Sequence, residues 1–331
     1  MAPQLDLFPR ELHSPQDDAE TRALAARLPS ELRLGTSSWS FPGWRGSVWP
    51  DEPGWTEQRC AREGLAVYAK HPLLRTVGID RSYYDPLTAD ALIHYASQLP
   101  PGFLAASKVW EAYTIERYAY GRGDSPERAS VVEHNPHFLD AASLEETTLL
   151  PVRTHFAEHA GPLVIEVPAH PKIDRDRFPQ LLGAFLREAT ARAGPLHFVL
   201  EVRDRRLLIP TLARALGENG VPLCFTFHPT MPSLGEQIEW ASKSGLLERG
   251  GPPLVVRLML PPGHAYEKRR TAIAPFDRLV DVQESMRRDV VELVGRAVRA
   301  GRSLFVIANN KAEGSAPLTL RALAERIAEG R

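Results

Sequence analysis

The chain has 331 residues, 43% of them hydrophobic and 24% charged, which is the balance of an ordinary folded protein and excludes a fibrous or intrinsically disordered chain. Lysine plus arginine (40) nearly equals aspartate plus glutamate (41), so no whole-molecule field draws in nucleic acid or an anionic membrane. Any such partner must be held by a local patch.

The amino-terminal stretch MAPQLDLFPRELHSPQDD lacks the basic start and long apolar centre of a secretory signal, and no later apolar run reaches membrane-spanning length. Cys60 and Cys224 fit no C-x-x-C spacing. A reducing, cytoplasmic location is expected, with no disulfide framework and no cysteine-held metal. Residues 1–30 read as an extension, an arm followed by one helical stretch ending near Leu28. Within it, Gln4-Leu5-Asp6-Leu7-Phe8 resembles the pentapeptide through which bacterial replication and repair proteins dock on the DNA sliding clamp. In that reading Leu7 and Phe8 enter an apolar pocket, Gln4 adds a polar anchor, and Leu5 completes the motif. The competing reading is that Leu5, Leu7 and Phe8 pin the amino terminus to the rest of the protein.

From Leu32 onward, eight short apolar runs alternate with longer helix-like segments. The runs are Leu32–Ser37, Thr76–Asp80, Phe103–Lys108, Leu163–Val167, His197–Arg203, Val221–Phe227, Leu254–Met259 and Ser303–Asn309. Their apolar content suits strands buried on both faces. Residues Arg177–Arg192 place Phe178, Leu181, Leu182, Phe185 and Leu186 at helical spacing, and Val290–Val298 reads the same way. Eight strand–helix units over 31–331 predict a single (β/α)8 TIM-type barrel, with a doubly wound open sheet as the alternative. The longest interruption, Val109–Asn135, is expected to be a loop over the mouth.

Barrels of this type carry their chemistry where strands end. The polar residues there are Thr36, Ser37, Asp80, Lys108, Glu166, Glu201, Arg203, His228, Arg257, Asn309 and Asn310. Glu166 and Glu201 close the apolar runs LVIEV and FVLEV, where an ionised carboxylate needs a partner. Arg203, two residues past Glu201, faces the same side. Glu201, Glu166 and Asp80 are therefore candidate acid and base groups, against an internal ion pair that only fills the barrel top. Lys108, Arg203 and Arg257, with Asn309 and Asn310, form a candidate cradle for a phosphate or carboxylate, although Arg257 fits equally well as a counter-ion for Glu201. Ser37, Trp39 and Tyr83 complete the substrate-binding set, Trp39 being open to a second role as a core plug.

His155-Phe-Ala-Glu-His159 matches H-x-x-E-H, a zinc-binding spacing on a helix, but it precedes Gly161-Pro162 and so falls at the bottom of a barrel. His134 and His137 lie on the mouth side without an accompanying ligand set. No metal is assigned, and no cofactor is specified by any motif.

Several segments together resemble one family. Gly35-Thr-Ser-Ser-Trp-Ser-Phe with Trp44-Arg-Gly and Trp49-Pro50 is similar to the opening signature of the YecE-like proteins, domain-of-unknown-function family 72. Thr76-Val-Gly-Ile-Asp with Ser82-Tyr-Tyr, Phe103–Lys108, Gly161–Pro168, Glu201-Val-Arg203, Arg257-Leu and Asn309-Asn310 follow in the family's order. The resemblance implies a barrel and covers nearly everything after Ser30. The departures fall on polar positions: Gly78 stands for the family's glutamate, Asp80 for asparagine, Glu166 for glutamine, Asp204 and Met259 for histidines, Leu207 for tryptophan and Lys311 for aspartate. Lys108, Glu201, Arg203, Arg257 and the asparagine pair match.

Two classes of function follow from these residues. One is a hydrolase or lyase acting at the mouth on a phosphate-bearing substrate, a nucleotide or nucleic acid, and brought to DNA by the clamp motif. The other is a non-catalytic anion-binding or adaptor module. A glycoside hydrolase-like enzyme is a third reading, resting on paired carboxylates and tryptophans. The near-zero net charge argues against strong unaided duplex binding.

Overall fold

A computed structural model gives the architecture and describes residues 18–120, 131–169, 174–247, 250–261 and 266–330. Gln4, Leu5, Leu7 and Phe8 lie outside the described residues.

Eight parallel strands form the frame: β1 (Leu32–Thr36), β2 (Leu74–Ile79), β3 (Leu104–Lys108), β6 (Ala160–Val167), β7 (Phe198–Val202), β8 (Cys224–Phe227), β9 (Leu254–Leu258) and β10 (Leu304–Ala308). A separate antiparallel hairpin, β4 (Arg117–Tyr120) and β5 (Val131–His134), rises from the loop after β3. The sheet order β7-β6-β3-β2-β1-β10-β9-β8 runs from β7 round to β8. Those two edges meet at a parallel bridge between Leu200 and Leu223, with the Leu200 N–H donating to the Pro222 carbonyl at 2.9 Å. The sheet is thus a nearly closed (β/α)8 barrel, as the spacing of apolar runs predicts, and not an open doubly wound sheet. Each strand lies within three residues of its expected limits.

Alternation along the strands sorts the interior into layers. Ala106, Val164, Val199, Cys224, Val255, Phe305 and Ile307 pack on one another inside the barrel. Two residues further along, the same inward positions carry Lys108, Glu166, Glu201, Thr226, Arg257 and Asn309. An apolar floor therefore lies directly beneath a charged layer.

The other strand faces pack against helices, among them Glu57–Tyr68, Phe178–Ala193, Glu284–Ala300 and Ala316–Glu329. Helix Phe178–Ala193 forms where the amphipathic stretch is predicted and buries Phe178, Leu182, Phe185 and Leu186, whereas Leu181, expected on the same face, is exposed. The extension supplies a helix, Ala19–Ala26, that starts at an Asp18 cap and lies along Ala316–Glu329. Glu20 pairs with Arg321 at 2.6 Å, and Arg27 Nη2 donates to the Ala328 carbonyl at 2.8 Å. No described helix is long and apolar enough to cross a membrane.

Gly35 is required by the close approach of β1 to β2. A Cβ there would stand 2.0 Å from the Thr76 carbonyl oxygen, a backbone atom that moves only with its strand. Gly35→Ala is therefore expected to cost at least about 1–3 kcal/mol, the range for overpacking a tight core, read as a lowered urea midpoint. An unchanged midpoint would show that the two strands are not held this closely.

Candidate functional site

The carboxyl ends of the strands bring six charged side chains into one cluster. Glu201, on β7, is completely buried and lies at its centre. Arg203 Nη2 meets its Oε1 at 2.6 Å, Arg257 Nη1 its Oε2 at 2.7 Å, Lys108 Nζ the same Oε2 at 3.2 Å, and Thr226 Oγ1 donates to Oε1 at 3.0 Å. Glu166 pairs with Glu201 in register on β6 and is held by Lys108 Nζ and by Arg203 Nη2 at 3.3 Å. Arg257 reaches on with Nη2 to both oxygens of Asp80, at 2.8 and 2.6 Å. Lys108, Arg203 and Arg257 against Asp80, Glu166 and Glu201 leave no formal net charge.

Burial and charge shape the titration of this layer. Burial alone would raise the Glu201 carboxyl, but Arg203, Arg257 and Lys108 together hold it well below the usual carboxylate range. The Lys108 ammonium is lowered to about 7, first by burial and then by the Arg257 charge, against the opposing pull of Glu201 and Asp80. Burial also opposes the charge on Arg257, yet Asp80 and Glu201 raise its proton affinity above the ordinary value. His228 is lowered to about 4 by burial and by Arg203. Tyr83, whose ring lies 4.9 Å from Lys108 Nζ, is raised by burial and by the Glu111 carboxylate, with which it shares a hydrogen bond.

The remaining sequence-predicted residues divide around this cluster. Ser37 and Asn309 bond each other at the rim, Nδ2 to Oγ at 2.8 Å. Asn310 serves the frame: its Oδ1 accepts from Trp44 Nε1 at 3.0 Å and from the Ala316 N–H at 2.8 Å. Trp39 is buried and packs edge-on against Tyr95 at 5.1 Å. The loop after β3 is fastened near Glu166, since Thr114 Oγ1 donates to the Glu166 carbonyl at 2.6 Å. Sequence reasoning missed Thr226 and Glu111. Thr226 was detectable as the inward partner of Cys224 in the strand CFTF, while Glu111 gave no signal.

The H-x-x-E-H segment does not lie on one helix. Helix Leu150–His155 ends at Phe156, whose φ is −141°, and Ala157–His159 forms a separate turn leading into β6. His159 bonds the Phe103 carbonyl through Nδ1 at 2.9 Å at the foot of the barrel. His137 bonds Ser143 Oγ at 2.8 Å and packs on Trp110. Among the described residues no cluster of histidine, cysteine and carboxylate side chains is arranged to hold a metal ion.

Glu201→Gln keeps the shape but removes the charge that compensates three cations. The expected cost is about 3–5 kcal/mol, the range for breaking a buried ion pair, read by urea denaturation at pH 7. Adding Lys108→Met to that variant is expected to recover part of the loss, because the cluster regains charge balance. The stabilisation from Glu201 is fully present above its ordinary value of 4.5 and is lost as pH falls below it toward the depressed folded value. The gap between the parent and Glu201→Gln should therefore narrow as the solution is made acid; a gap constant from pH 7 to pH 3 would contradict the charge argument.

Comparison with known proteins agrees with the architecture. Two crystal structures of a DUF72 family protein from Enterococcus faecalis superpose with a TM-score of 0.51 at 14% and 15% identity, covering 89% and 90% of this chain and 95% and 96% of the other. At that identity the likeness establishes the fold alone. A structure of an AP endonuclease, family 2, from Brucella melitensis is more distant, with a TM-score of 0.47, 11% identity and coverage of 89% and 98%, and it carries no functional argument. No curated protein matches the chain significantly. The family model described as a protein of unknown function, DUF72, matches residues 33–331, the whole barrel, and the chain belongs to that family.

Proposed function

We propose that the protein is an enzyme that binds a phosphate-bearing molecule at the carboxyl end of the barrel and cleaves a bond in it with a carboxylate moving the proton, either as a hydrolase, in which water adds across the broken bond, or as a lyase, in which a proton is removed and the leaving group expelled. The observation that carries this reading is the lysine shared between two unequal carboxylates. The Glu201 side chain is 0% exposed and Glu166 13%, while Lys108 contacts both from a 4% exposed position. Glu201 then serves as the fixed counter-charge, and Glu166 is the group that exchanges a proton with a ligand. Asp80, 32% exposed, is the second carboxylate a ligand can reach.

Arg203 offers the complementary donor. Its Nε is buried without a hydrogen-bond partner among the described residues, while Nη2 is shared by Glu166 and Glu201. A phosphate that draws Arg203 or Lys108 toward itself weakens their hold on Glu166, raising the proton affinity of that carboxylate as the substrate arrives. Binding and basicity are thereby coupled.

The non-catalytic alternative, an anion-binding or adaptor module, is favoured by the fact that each cation of the cluster already has a carboxylate partner. A glycoside hydrolase-like mechanism gains least, because Glu201 is sealed from solvent and shares Lys108 with Glu166 instead of facing it across a substrate.

The test is turnover of p-nitrophenyl phosphate, bis(p-nitrophenyl) phosphate, ribonucleoside triphosphates and single- and double-stranded oligonucleotides. Glu166→Gln is expected to lower kcat by about 10²-fold or more, with KM changed far less. Activity should decline as pH rises through about 7, where Lys108 loses the proton with which it attracts the phosphate. Binding without turnover across the whole panel would replace the enzyme by the adaptor.

Recruitment to a DNA sliding clamp is a second part of the proposal and rests on Gln4, Leu5, Leu7 and Phe8 in the amino-terminal arm. Calorimetry of the full chain against a bacterial clamp should give a binding signal that Gln4→Ala weakens and Phe8→Ala abolishes. Equal heats for all three proteins would remove the clamp from the account.

A further inference from the structure

A cleft of about 680 Å³ runs outward from Asp80, between the loop that leaves β1 and the helices Glu57–Tyr68 and Ala89–Ala96. Its size is that of a small-molecule site. Its lining includes Asp80, whose carboxylate Arg257 grips through both oxygens. Its walls include the rings of Trp39, Tyr84 and Tyr95 and the hydroxyls of Ser38 and Ser40.

One feature, Tyr84, distinguishes it from a packing groove, for Trp39 is only 6% exposed and its indole Nε1 is sealed beneath the wall. Tyr84 is a large aromatic side chain left 68% exposed in the cleft wall, on the same short turn as Tyr83, which lies over Lys108. Aromatic surface beside a hydroxyl pair suits a flat heterocycle that carries polar groups on its edge. The Asp80 carboxylate suits a pair of sugar hydroxyls, which donate to it.

We infer that this cleft is the nucleoside-binding arm of the mouth: the base lies among Trp39, Tyr84 and the Ser38–Ser40 hydroxyls, the ribose hydroxyls donate to Asp80, and the phosphate reaches the Lys108–Arg203 cluster. The inference rests on the proposed reading in one respect, that the cluster receives the phosphate. It adds that the substrate is a nucleoside phosphate and that recognition of the base is separate from the chemistry.

The test is calorimetric titration of the full chain with the four ribonucleoside 5′-monophosphates, ribose 5-phosphate, inorganic phosphate and a disaccharide. At least one nucleotide should bind more tightly than ribose 5-phosphate. Tyr84→Ala, at an exposed position, should weaken that nucleotide by at least about 5-fold, the lower end for loss of a base–aromatic stack, Trp39→Phe, which keeps a ring but reduces its area, should weaken it measurably, and both should leave ribose 5-phosphate unchanged. Ribose 5-phosphate binding as tightly as every nucleotide, a disaccharide binding more tightly than any of them, or nucleotide affinity untouched by both variants would each overturn the assignment. The two readings fail separately. Nucleotide binding that meets these expectations without turnover of any phosphoester would remove the enzyme and keep the cleft, whereas turnover at unchanged KM in both variants would remove the cleft and keep the enzyme.

Discussion

Placing a carboxylate where water does not reach is the constraint on which this barrel top depends. Glu201 stays ionised only because three cations and a hydroxyl converge on it from different strands. That convergence needs β3, β7, β8 and β9 to end at one level with inward positions aligned, which is what the registers Glu166–Glu201 and Thr226–Arg257 provide. The apolar layer below supports the same arrangement. Phe305 and Ile307 fill the centre, so the long side chains of Lys108 and Arg257 lie across a solid floor.

The fold was legible in the sequence because a strand buried on both faces must be apolar throughout, and a charge at the end of such a run stands out. Glu166 and Glu201 were visible for that reason, and Arg203 followed from its two-residue offset. Pairing was not legible. Whether Arg257 serves Glu201 or an incoming anion depends on side-chain reach across neighbouring strands, and it turns out to hold Glu201 and Asp80 at once. Asn310 looked like part of the mouth because it follows Asn309, yet one residue of turn commits it to Trp44 and Ala316. The cleft is assembled from Trp39, Asp80, Tyr84 and Tyr95 on separate elements, and no local pattern announces such a meeting.

The surroundings of the mouth are braced by polar contacts of the same kind. Glu313, after β10, is fully buried and takes a two-pronged contact from Arg287, at 2.8 and 2.7 Å, together with the Gln283 N–H at 2.7 Å. Arg269 ties Asp281 to the Lys311 and Ala312 carbonyls. Phe41, in the loop after β1, meets Phe276 edge-on at 5.6 Å. These contacts join the loops after β1 and β10 to the segment that follows β9, so the rim beside Asn309 and Ser37 is set by packing as well as by strand geometry.

The meeting of β7 and β8 has a mechanical consequence. Seven of the joints around the barrel are laddered strand pairs, whereas this one has a single backbone bridge at Leu200 and Leu223. Higher up, the same gap is spanned by Thr226 and Glu201, a hydroxyl and a carboxylate. The cylinder thus has one line along which the main-chain ladder thins out and side chains take over part of the joining, and that line passes through the most heavily charged point of the interior. Opening the wall along it would part Thr226 from Glu201, so the bore of the barrel and the grip on that carboxylate are tied to each other.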